Sequence, residues 1–197
     1  MTVLVPGFGR QYVRGDSLDH GAPLVFSIDG VLTEAESTQM IARVEDLGPE
    51  AAPITTGAGF VMRPDIRNNT RVIFDEPSLA AVLFERIREF VPAQLFGRRP
   101  VGVNERFRCY RYEPGQRFAP HYDGAYQRSA DECSELTFMV YLNEGFEGGT
   151  TAFHDFGVEA IPRTGAALLF QHRLLHEGCV VRSGRKYVLR SDVMYGE

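Results

Sequence analysis

Two histidines and one carboxylate in this chain have the residue types of a metal centre. His121 and Asp123 are separated by Tyr122, in a segment that we predict to lie at the edge of a strand. Because residues i and i+2 of a strand point to the same side, the imidazole and the carboxylate face one space. A single His-x-acid pair is common in proteins, so a salt-bridged surface pair explains this spacing as well.

His176 is the candidate for a third ligand, because it directly precedes a predicted strand and can meet a site on the neighbouring strand. His172 competes for the role, since both histidines would share one face of a strand. His154 is expected at the rim. Two histidines and one carboxylate on one face of a metal leave open positions, an arrangement typical of non-haem Fe(II) sites that handle O₂.

Lys186 is the only lysine among the 21 basic residues of the chain. It begins the last predicted strand, and a cation inside a β-sandwich must be paired or solvated. A dicarboxylate co-substrate would supply that partner, whereas the alternative is a surface lysine whose stem packs on apolar atoms. Arg190 lies four residues further on the same predicted face, and it is a second candidate for the same role.

The elements that would position these residues differ between the two halves of the chain. A capping box at Thr33 and Glu36 predicts a helix over 34–47, and Pro77 opens a second helix that Pro92 limits. Residues 1–24 read as an irregular arm or edge strand. From residue 103 onward, short segments alternate with period two and are separated by turn signals, which is typical of a sandwich or jelly roll.

We therefore predict an α+β fold that is mainly β, a double-stranded β-helix (jelly roll, cupin-like) buttressed by N-terminal helices. One domain is expected over 1–197, with strand and helix support over 24–100 and the jelly-roll core over 103–195. The net charge is −5, which gives no general field favouring nucleic acid or an anionic membrane. The N-terminus does not resemble a signal peptide, so we expect a cytoplasmic protein without membrane or nucleic-acid partners.

Short motifs follow one another in order through the C-terminal half. They occupy residues 112–123, 137–143, 147–153, 165–170, 176–181 and 184–187. In this order they resemble the catalytic core of prolyl 4-hydroxylase-type 2-oxoglutarate/Fe(II) dioxygenases, and the resemblance covers about residues 103–195.

That resemblance implies a set of ligands and an activity. His121, Asp123 and His176 would bind Fe(II), and Lys186 would pair with the distal carboxylate of 2-oxoglutarate. Tyr112 and Thr137 match positions that line the same pocket. The implied cofactors are Fe(II), 2-oxoglutarate as co-substrate, O₂ and also ascorbate.

The implied reaction hydroxylates an unactivated C–H of a protein or peptide side chain, with decarboxylation of 2-oxoglutarate to succinate. The same chemistry on a small molecule is the alternative, and a non-catalytic jelly roll that binds metal is a third. Arg67, Asn69 and Arg71 belong to a polar segment that resembles one lying over the pocket mouth, so we expect them to bind substrate. A solvated loop is the other interpretation of that segment, and residues 124–133 are a second candidate lid.

Overall fold

The computed structural model describes residues 1–10, 13, 15–57 and 59–197. Residues 11, 12 and 14 of the predicted N-terminal arm lie outside the described residues. The elements are β1 (Thr2–Val5), β2 (Val25–Ile28), α1 (Glu34–Asp46), β3 (Glu50–Ala51), β4 (Ile54–Thr56), β5 (Gly59–Val61), β6 (Thr70–Asp75), α2 (Pro77–Ile87), β7 (Arg99–Val103), β8 (Arg106–Tyr112), β9 (Phe118–His121), β10 (Glu132–Tyr141), β11 (Glu147–Gly148), β12 (Thr151–Phe153), a 3₁₀ turn (His154–Phe156), β13 (Val158–Ala160), β14 (Ala167–Gln171), β15 (His176–Gly178), β16 (Val181–Ser183) and β17 (Lys186–Gly196).

Two antiparallel sheets form the predicted jelly roll. The main sheet has the strand order β1-β2-β14-β10-β17-β8-β6-β3, and β7 also pairs with β17. The smaller sheet has the order β13-β12-β15-β9. Phe153 of the smaller sheet shares one apolar cluster with Phe170 and Val188 of the main sheet, so the two sheets pack face to face.

Both predicted helices are present, and they cover the outer face of the main sheet. The Thr33–Glu36 capping box begins α1, which ends at Asp46, one residue before the predicted end. Met40 and Leu83 join the large core cluster beneath the helices. Neither helix is long and apolar enough to cross a membrane, which holds for every helix in the described part of the chain.

The second helix is shorter than its apolar stripe suggested. It ends at Ile87, and the backbone N–H groups of Phe90 and Val91 both donate to the carbonyl of Ile87. Val91 precedes Pro92, and the residue before a proline is disfavoured in the helical region. The chain therefore leaves the helix before the proline, and Val91 still packs into the core.

The N-terminal half contributes strands as well as helices. β6 pairs along its whole length with β8, and it extends the main sheet beyond the C-terminal half. Within β8, the side chains of Phe107 and Cys109 pack toward the helices. Arg108 and Tyr112 alternate with them, so they point into the roll, as the period-two pattern predicts. This inner face of the main sheet lines one side of the candidate site.

Candidate active site

The predicted metal ligands come together between β9 and β15. His176 is the direct cross-strand partner of His121, and Asp123 follows two residues after the end of β9. The Nε2 atoms of His121 and His176 lie 3.8 and 3.7 Å from the carboxylate oxygens of Asp123. One ligand atom from each of the three residues lies within 4.8 Å of the others, so they can hold a metal ion. We call His121, Asp123 and His176 the metal group.

Both imidazoles are oriented with one nitrogen toward this centre. Nδ1 of His121 lies 2.8 Å from the carbonyl oxygen of Ala119, and Nδ1 of His176 lies 3.0 Å from that of Leu174. These bonds place the proton on Nδ1 and leave the Nε2 lone pair free for a metal. Burial, with His176 close by, lowers the pKa of His121 to about 4, which keeps its imidazole neutral.

Asp123 is held by one of its two oxygens. Thr137 Oγ1 donates to Oδ2 at 2.6 Å, and Arg190 Nη2 lies 3.2 Å from the same oxygen. Burial alone would raise the pKa of this carboxyl, but Arg190 and the two histidines outweigh it and hold the pKa well below its usual range. Asp123 is therefore a carboxylate, and within the described residues its Oδ1 accepts no hydrogen bond. The group thus fits Fe(II).

His172 does not belong to the metal group but lies behind it. The hydroxyl of Thr137 uses its single proton to donate to the charged Asp123, so it can only accept from His172. The Nδ1–H of His172 therefore donates to Thr137 Oγ1, at a distance of 3.0 Å. Ser134 Oγ then donates to Nε2 of His172 at 2.8 Å. The competition between His172 and His176 is resolved in favour of His176. His172 supports the threonine that orients Asp123.

We expect Thr137→Val to weaken metal binding without unfolding the protein. The substitution keeps the shape of the side chain and removes the hydroxyl that holds Asp123 Oδ2. Partners of metal ligands typically contribute about 10- to 100-fold to metal affinity, and we expect a loss in that range, measured by anaerobic Fe(II) titration. Thr38→Val on the exposed face of α1 is the matched control. Equal Fe(II) affinity of the two variants would contradict this role for Thr137.

His154 lies outside the metal group, as predicted. It is in the 3₁₀ turn, its side chain is 50% exposed, and its Nε2 lies 2.9 Å from the carboxylate of Glu177.

Lys186 is a buried cation, and none of the described residues offers it a carboxylate partner. Only 2% of the residue is exposed, and Nζ donates to the carbonyl oxygen of Gly149 at 2.6 Å. The rings of Tyr112 and Tyr141 lie 5.1 and 5.5 Å from Nζ, within reach of a cation–π contact. Burial lowers the pKa of Lys186 to about 8, and no ion pair of this side chain occurs in the described part of the chain. A carboxylate of a bound dicarboxylate would complete this environment.

Gly149 allows the backbone to approach Lys186 closely. Its φ is +64°, in the left-handed region, and a Cβ there would lie 3.1 Å from Cδ of Lys186 and 2.9 Å from the ring of Phe146. A larger residue at this position would have a strained backbone, and its side chain would push against Lys186. The hydrogen bond from Lys186 to the carbonyl oxygen of residue 149 would then be disturbed.

One pocket joins the metal group to Lys186. Among the residues that line it are Tyr112, Thr137 and Arg190, the other predicted cofactor residues. Arg190 already contacts the carboxylates of Asp123 and Asp192, at 3.2 and 3.1 Å. Lys186 is therefore the cation of the pocket that lacks a carboxylate, and the anchoring of 2-oxoglutarate by Lys186 stays the preferred prediction.

The three predicted substrate residues are placed differently from one another. Arg67 and Asn69 are buried, at 5% and 1% exposure, and Arg67 Nε donates to Asn69 Oδ1 at 2.8 Å. Arg67 forms an antiparallel β-bridge with Phe118 of β9, which lines the pocket. Arg67 and Asn69 therefore form part of the wall beside the pocket. Arg71 is partly exposed on β6. Asn69 positions Arg67, and its direct contact with substrate stays a prediction.

Sequence reasoning missed the roles of Phe118, Arg108 and Ser134, and it considered His172 only as a metal ligand. Phe118 stacks on the ring of His121 with centroids 3.5 Å apart. The alternation of β8 already placed Arg108 on the face of Tyr112, so the signal for Arg108 was present. No local pattern signals the hydrogen bond between Ser134 and His172, since it depends on the pairing of β10 with β14, which lie far apart in the chain.

Comparison with known proteins agrees with this geometry. Residues 107–191 match the model of the 2OG-Fe(II) oxygenase superfamily, and they include all three members of the metal group and Lys186. The part of the chain that holds the candidate site is therefore similar to members of this superfamily. The oxygenase is 25% identical to prolyl 4-hydroxylase 13 of Arabidopsis thaliana, over 88% of this chain and 76% of that protein. It is 32% identical to a putative prolyl 4-hydroxylase of Acanthamoeba polyphaga mimivirus, over 45% of this chain and 44% of that protein.

Solved structures share the fold of the oxygenase. The viral collagen prolyl hydroxylase of Paramecium bursaria Chlorella virus-1, in complex with 2OG, aligns with a TM-score of 0.61 and 23% identity, over 88% of this chain and 97% of that one. A prolyl hydroxylase of Trichoplax adhaerens aligns with a TM-score of 0.63 and 17% identity, over 86% and 83%. At such identities these structures show the jelly-roll fold. Together with the metal group, the relatives identify a 2-oxoglutarate/Fe(II)-dependent dioxygenase of prolyl 4-hydroxylase type.

Proposed function

We propose that this oxygenase hydroxylates a prolyl side chain in a protein or peptide. The observation that carries the proposal is the pocket in which the metal group lies beside a buried lysine without a carboxylate partner. Of the two relatives named above, one is a prolyl 4-hydroxylase and the other is described as a putative prolyl 4-hydroxylase. The Trichoplax adhaerens enzyme was solved in complex with a peptide fragment of a hypoxia inducible factor domain, which favours a peptide substrate here too.

The residues of the pocket have separate tasks in this proposal. Fe(II) held by His121, Asp123 and His176 would, with 2-oxoglutarate and O₂, supply the oxidation of a C–H bond and yield succinate and CO₂. Lys186 binds one end of 2-oxoglutarate and thereby fixes its orientation. No side chain needs to act as a general base, so the protein contributes positioning and exclusion of water.

The apolar part of the lining excludes water from the reacting centre. Met139, Phe170 and Val188 line the pocket between the metal group and Lys186. A dry pocket strengthens the ion pair of Lys186 and protects the oxidation from side reactions.

A wide cleft beside Asp123 supports a peptide rather than a small substrate. The cleft has a volume of about 1020 Å³, and Tyr122, Asp123 and His172 are among the residues that border it. Its walls combine Arg98 and Glu135 with the loop after β9, so they offer polar contacts to an extended backbone. Small-molecule sites are typically more enclosed.

The test is hydroxylation of proline-containing peptides by the Fe(II)-loaded protein with 2-oxoglutarate under O₂. We expect a mass gain of one oxygen atom on proline and an equivalent amount of succinate. Free L-proline in place of the peptide tests the small-molecule alternative, and oxidation of free L-proline alone would overturn the peptide proposal. Adding ascorbate tests the prediction that it supports turnover. A cytoplasmic location is proposed on the sequence alone.

A further inference from the structure

Two arginines extend the inner face of the main sheet beyond the pocket. Arg108 on β8 lies opposite Arg190 on β17, and Arg71 on β6 lies opposite Tyr110 on β8. Residues directly opposite each other in antiparallel strands point to the same side. The two arginines therefore continue the face that carries Arg190, which contacts Asp123 of the metal group. On that face Ile73 is 46% exposed, so this flank of the site is open to solvent.

A third arginine, Arg67, lies buried next to this surface. The guanidinium of Arg67 lies between the rings of Tyr110 and Phe118, 4.5 and 4.4 Å from their centroids. Arg67 is only 5% exposed. We call Arg67, Arg71 and Arg108 the arginine cluster.

The arginine cluster has fewer anions around it than its charge requires. Arg71 makes no hydrogen bond or ion pair with the described residues. Arg67 Nη2 and Arg108 Nη1 are buried, and neither has a hydrogen-bond partner in the part of the chain that the structure describes. Buried polar groups are almost always hydrogen-bonded, and buried charges are almost always paired. The environment of the cluster is incomplete in the protein alone.

The carboxylates nearby do not neutralise the arginine cluster. Asp192 lies 3.8 Å from Arg108, but it also lies 3.1 Å from Arg190. Asp123 is a member of the metal group. Burial, together with the charges of Arg67 and Arg108, lowers the pKa of Arg71, so the guanidinium groups repel one another. The chain as a whole has a net charge of −5, so this positive surface is local.

2-Oxoglutarate is not the missing anion. Lys186 lies opposite Tyr112, at the other end of the β8–β17 pairing from Arg108. A co-substrate that joins Lys186 to the metal group leaves Arg71 and Arg108 on the flank formed by β8 and β6. When the reacting carbon of a substrate lies at the metal group, the parts of the substrate next to that carbon reach this flank.

We infer that Arg71 and Arg108, backed by Arg67, bind a carboxylate of the substrate next to the residue that is hydroxylated. The inference rests on the proposed function and narrows the substrate to an acidic peptide, with glutamate or aspartate beside the reacting proline. A guanidinium presents parallel N–H donors that match both oxygens of a carboxylate, which makes arginine suited to this recognition. The open flank fits a side chain carried on a peptide.

The test is binding of fluorescently labelled peptides to the holoprotein with Fe(II) and 2-oxoglutarate, measured anaerobically by anisotropy. The peptides carry one proline flanked by glutamate, by glutamine or by lysine. We expect the glutamate peptide to bind about tenfold more tightly than the glutamine peptide, as for a charge-assisted hydrogen bond. Arg71→Gln and Arg108→Gln should each remove most of this preference, and Arg71→Glu should shift it toward the lysine peptide.

The matched control is Arg88→Gln, which removes one positive charge from an exposed pair with Glu85 just after α2. It should keep the full preference for glutamate. Unchanged circular dichroism, thermal unfolding and Fe(II) affinity establish that the Arg71 and Arg108 variants are folded. Equal binding of the glutamate and glutamine peptides, or a preference that both variants retain, would overturn the inference.

Admission of O₂ to the same samples separates the inference from the proposed function. If the glutamate peptide binds through Arg71 and Arg108 but gains no oxygen, the proposed function fails and the carboxylate site stands. If glutamate and glutamine peptides are hydroxylated and bound equally well, the carboxylate site fails and the proposed function stands. Free glutamate and free L-proline serve as competitors. Displacement of the peptide by a free amino acid that is itself oxidised would assign the carboxylate to a small acid and overturn the peptide assignment.

Discussion

Asp123→Ala is expected to abolish turnover and to lower Fe(II) affinity by more than about a hundredfold, beyond the usual effect of losing a partner of a metal ligand. The substitution removes the one carboxylate of the metal group and leaves Arg190 with Asp192 as its remaining partner. His121→Ala and His176→Ala should have comparable effects. The measurement is anaerobic titration with Fe(II) and 2-oxoglutarate, following the weak visible charge-transfer band of the ketoacid complex and then succinate release under O₂.

Two further variants make this result specific. Asp123→Asn keeps the side-chain shape and the acceptor for Thr137, so it separates loss of the ligand from loss of folding. His154→Ala removes a histidine that lies outside the metal group, and it should retain the charge-transfer band and the activity. If His176→Ala kept its activity and His172→Ala lost Fe(II) binding, the assignment of the third ligand would be wrong.

Local sequence patterns predicted the elements whose signals are contained in a few residues. The capping box at Thr33 specifies where α1 begins, and the alternation of 106–112 specifies which side chains of β8 face the interior. Such signals act over one helix turn or one strand pleat, so they are readable without knowing what packs on the element. The end of α2 was predicted too far along the chain, because its apolar stripe continues past Ile87 while the helical backbone does not.

The spacing of residues in the sequence could not predict the register between strands that are far apart in the chain. His121 and Asp123 are close in sequence, and their shared direction follows from strand geometry. The choice between His172 and His176 depends on which residue β15 places opposite His121, and antiparallel pairing with β9 selects His176. The resemblance to a family supplied this ligand before the geometry did.

The polar residues around the metal group were the hardest to predict. Arg67 belongs to a segment rich in arginine and asparagine, which is typical of a solvated loop, yet its guanidinium is buried between two aromatic rings. The rings come from β8 and β9, more than forty positions further along the chain. Burial of a charged side chain depends on such distant partners, so composition predicts its exposure poorly.

Lys186→Ala is expected to raise the dissociation constant of 2-oxoglutarate by about a hundredfold, as for truncating one partner of a buried charge pair. Lys186 is the buried cation of the pocket that lacks a carboxylate, so its loss removes the anchor for one end of the co-substrate. The measurement is anaerobic titration of the Fe(II)-loaded protein with 2-oxoglutarate. Arg182→Ala, which removes an exposed cation from nearby β16, is the matched control. An unchanged affinity would transfer the anchoring role to Arg190.

The pH dependence of the same affinity tests the state of Lys186 directly. Burial lowers its pKa to about 8 in the free pocket, so the ammonium is present below that pH and is lost above it. A bound carboxylate stabilises the charged form and raises the pKa in the complex. Affinity for 2-oxoglutarate should therefore be constant below about pH 8 and fall by about tenfold per pH unit above it, until the pKa of the complex is reached.

Mn(II) in place of Fe(II) allows this titration in alkaline solution without oxidation of the metal. Lys186→Ala should bind weakly and show no such decline in this window, because the group that titrates is gone. A decline of the same size in Lys186→Ala would assign it to another group of the pocket. A wild-type affinity that stayed flat above pH 8 would mean that Lys186 keeps its proton in the free pocket, which requires a solvated Nζ. The plot of 2-oxoglutarate affinity against pH thus tests both the burial of Lys186 and its anchoring role. Both require a Lys186 ammonium group whose carboxylate partner is supplied by the co-substrate.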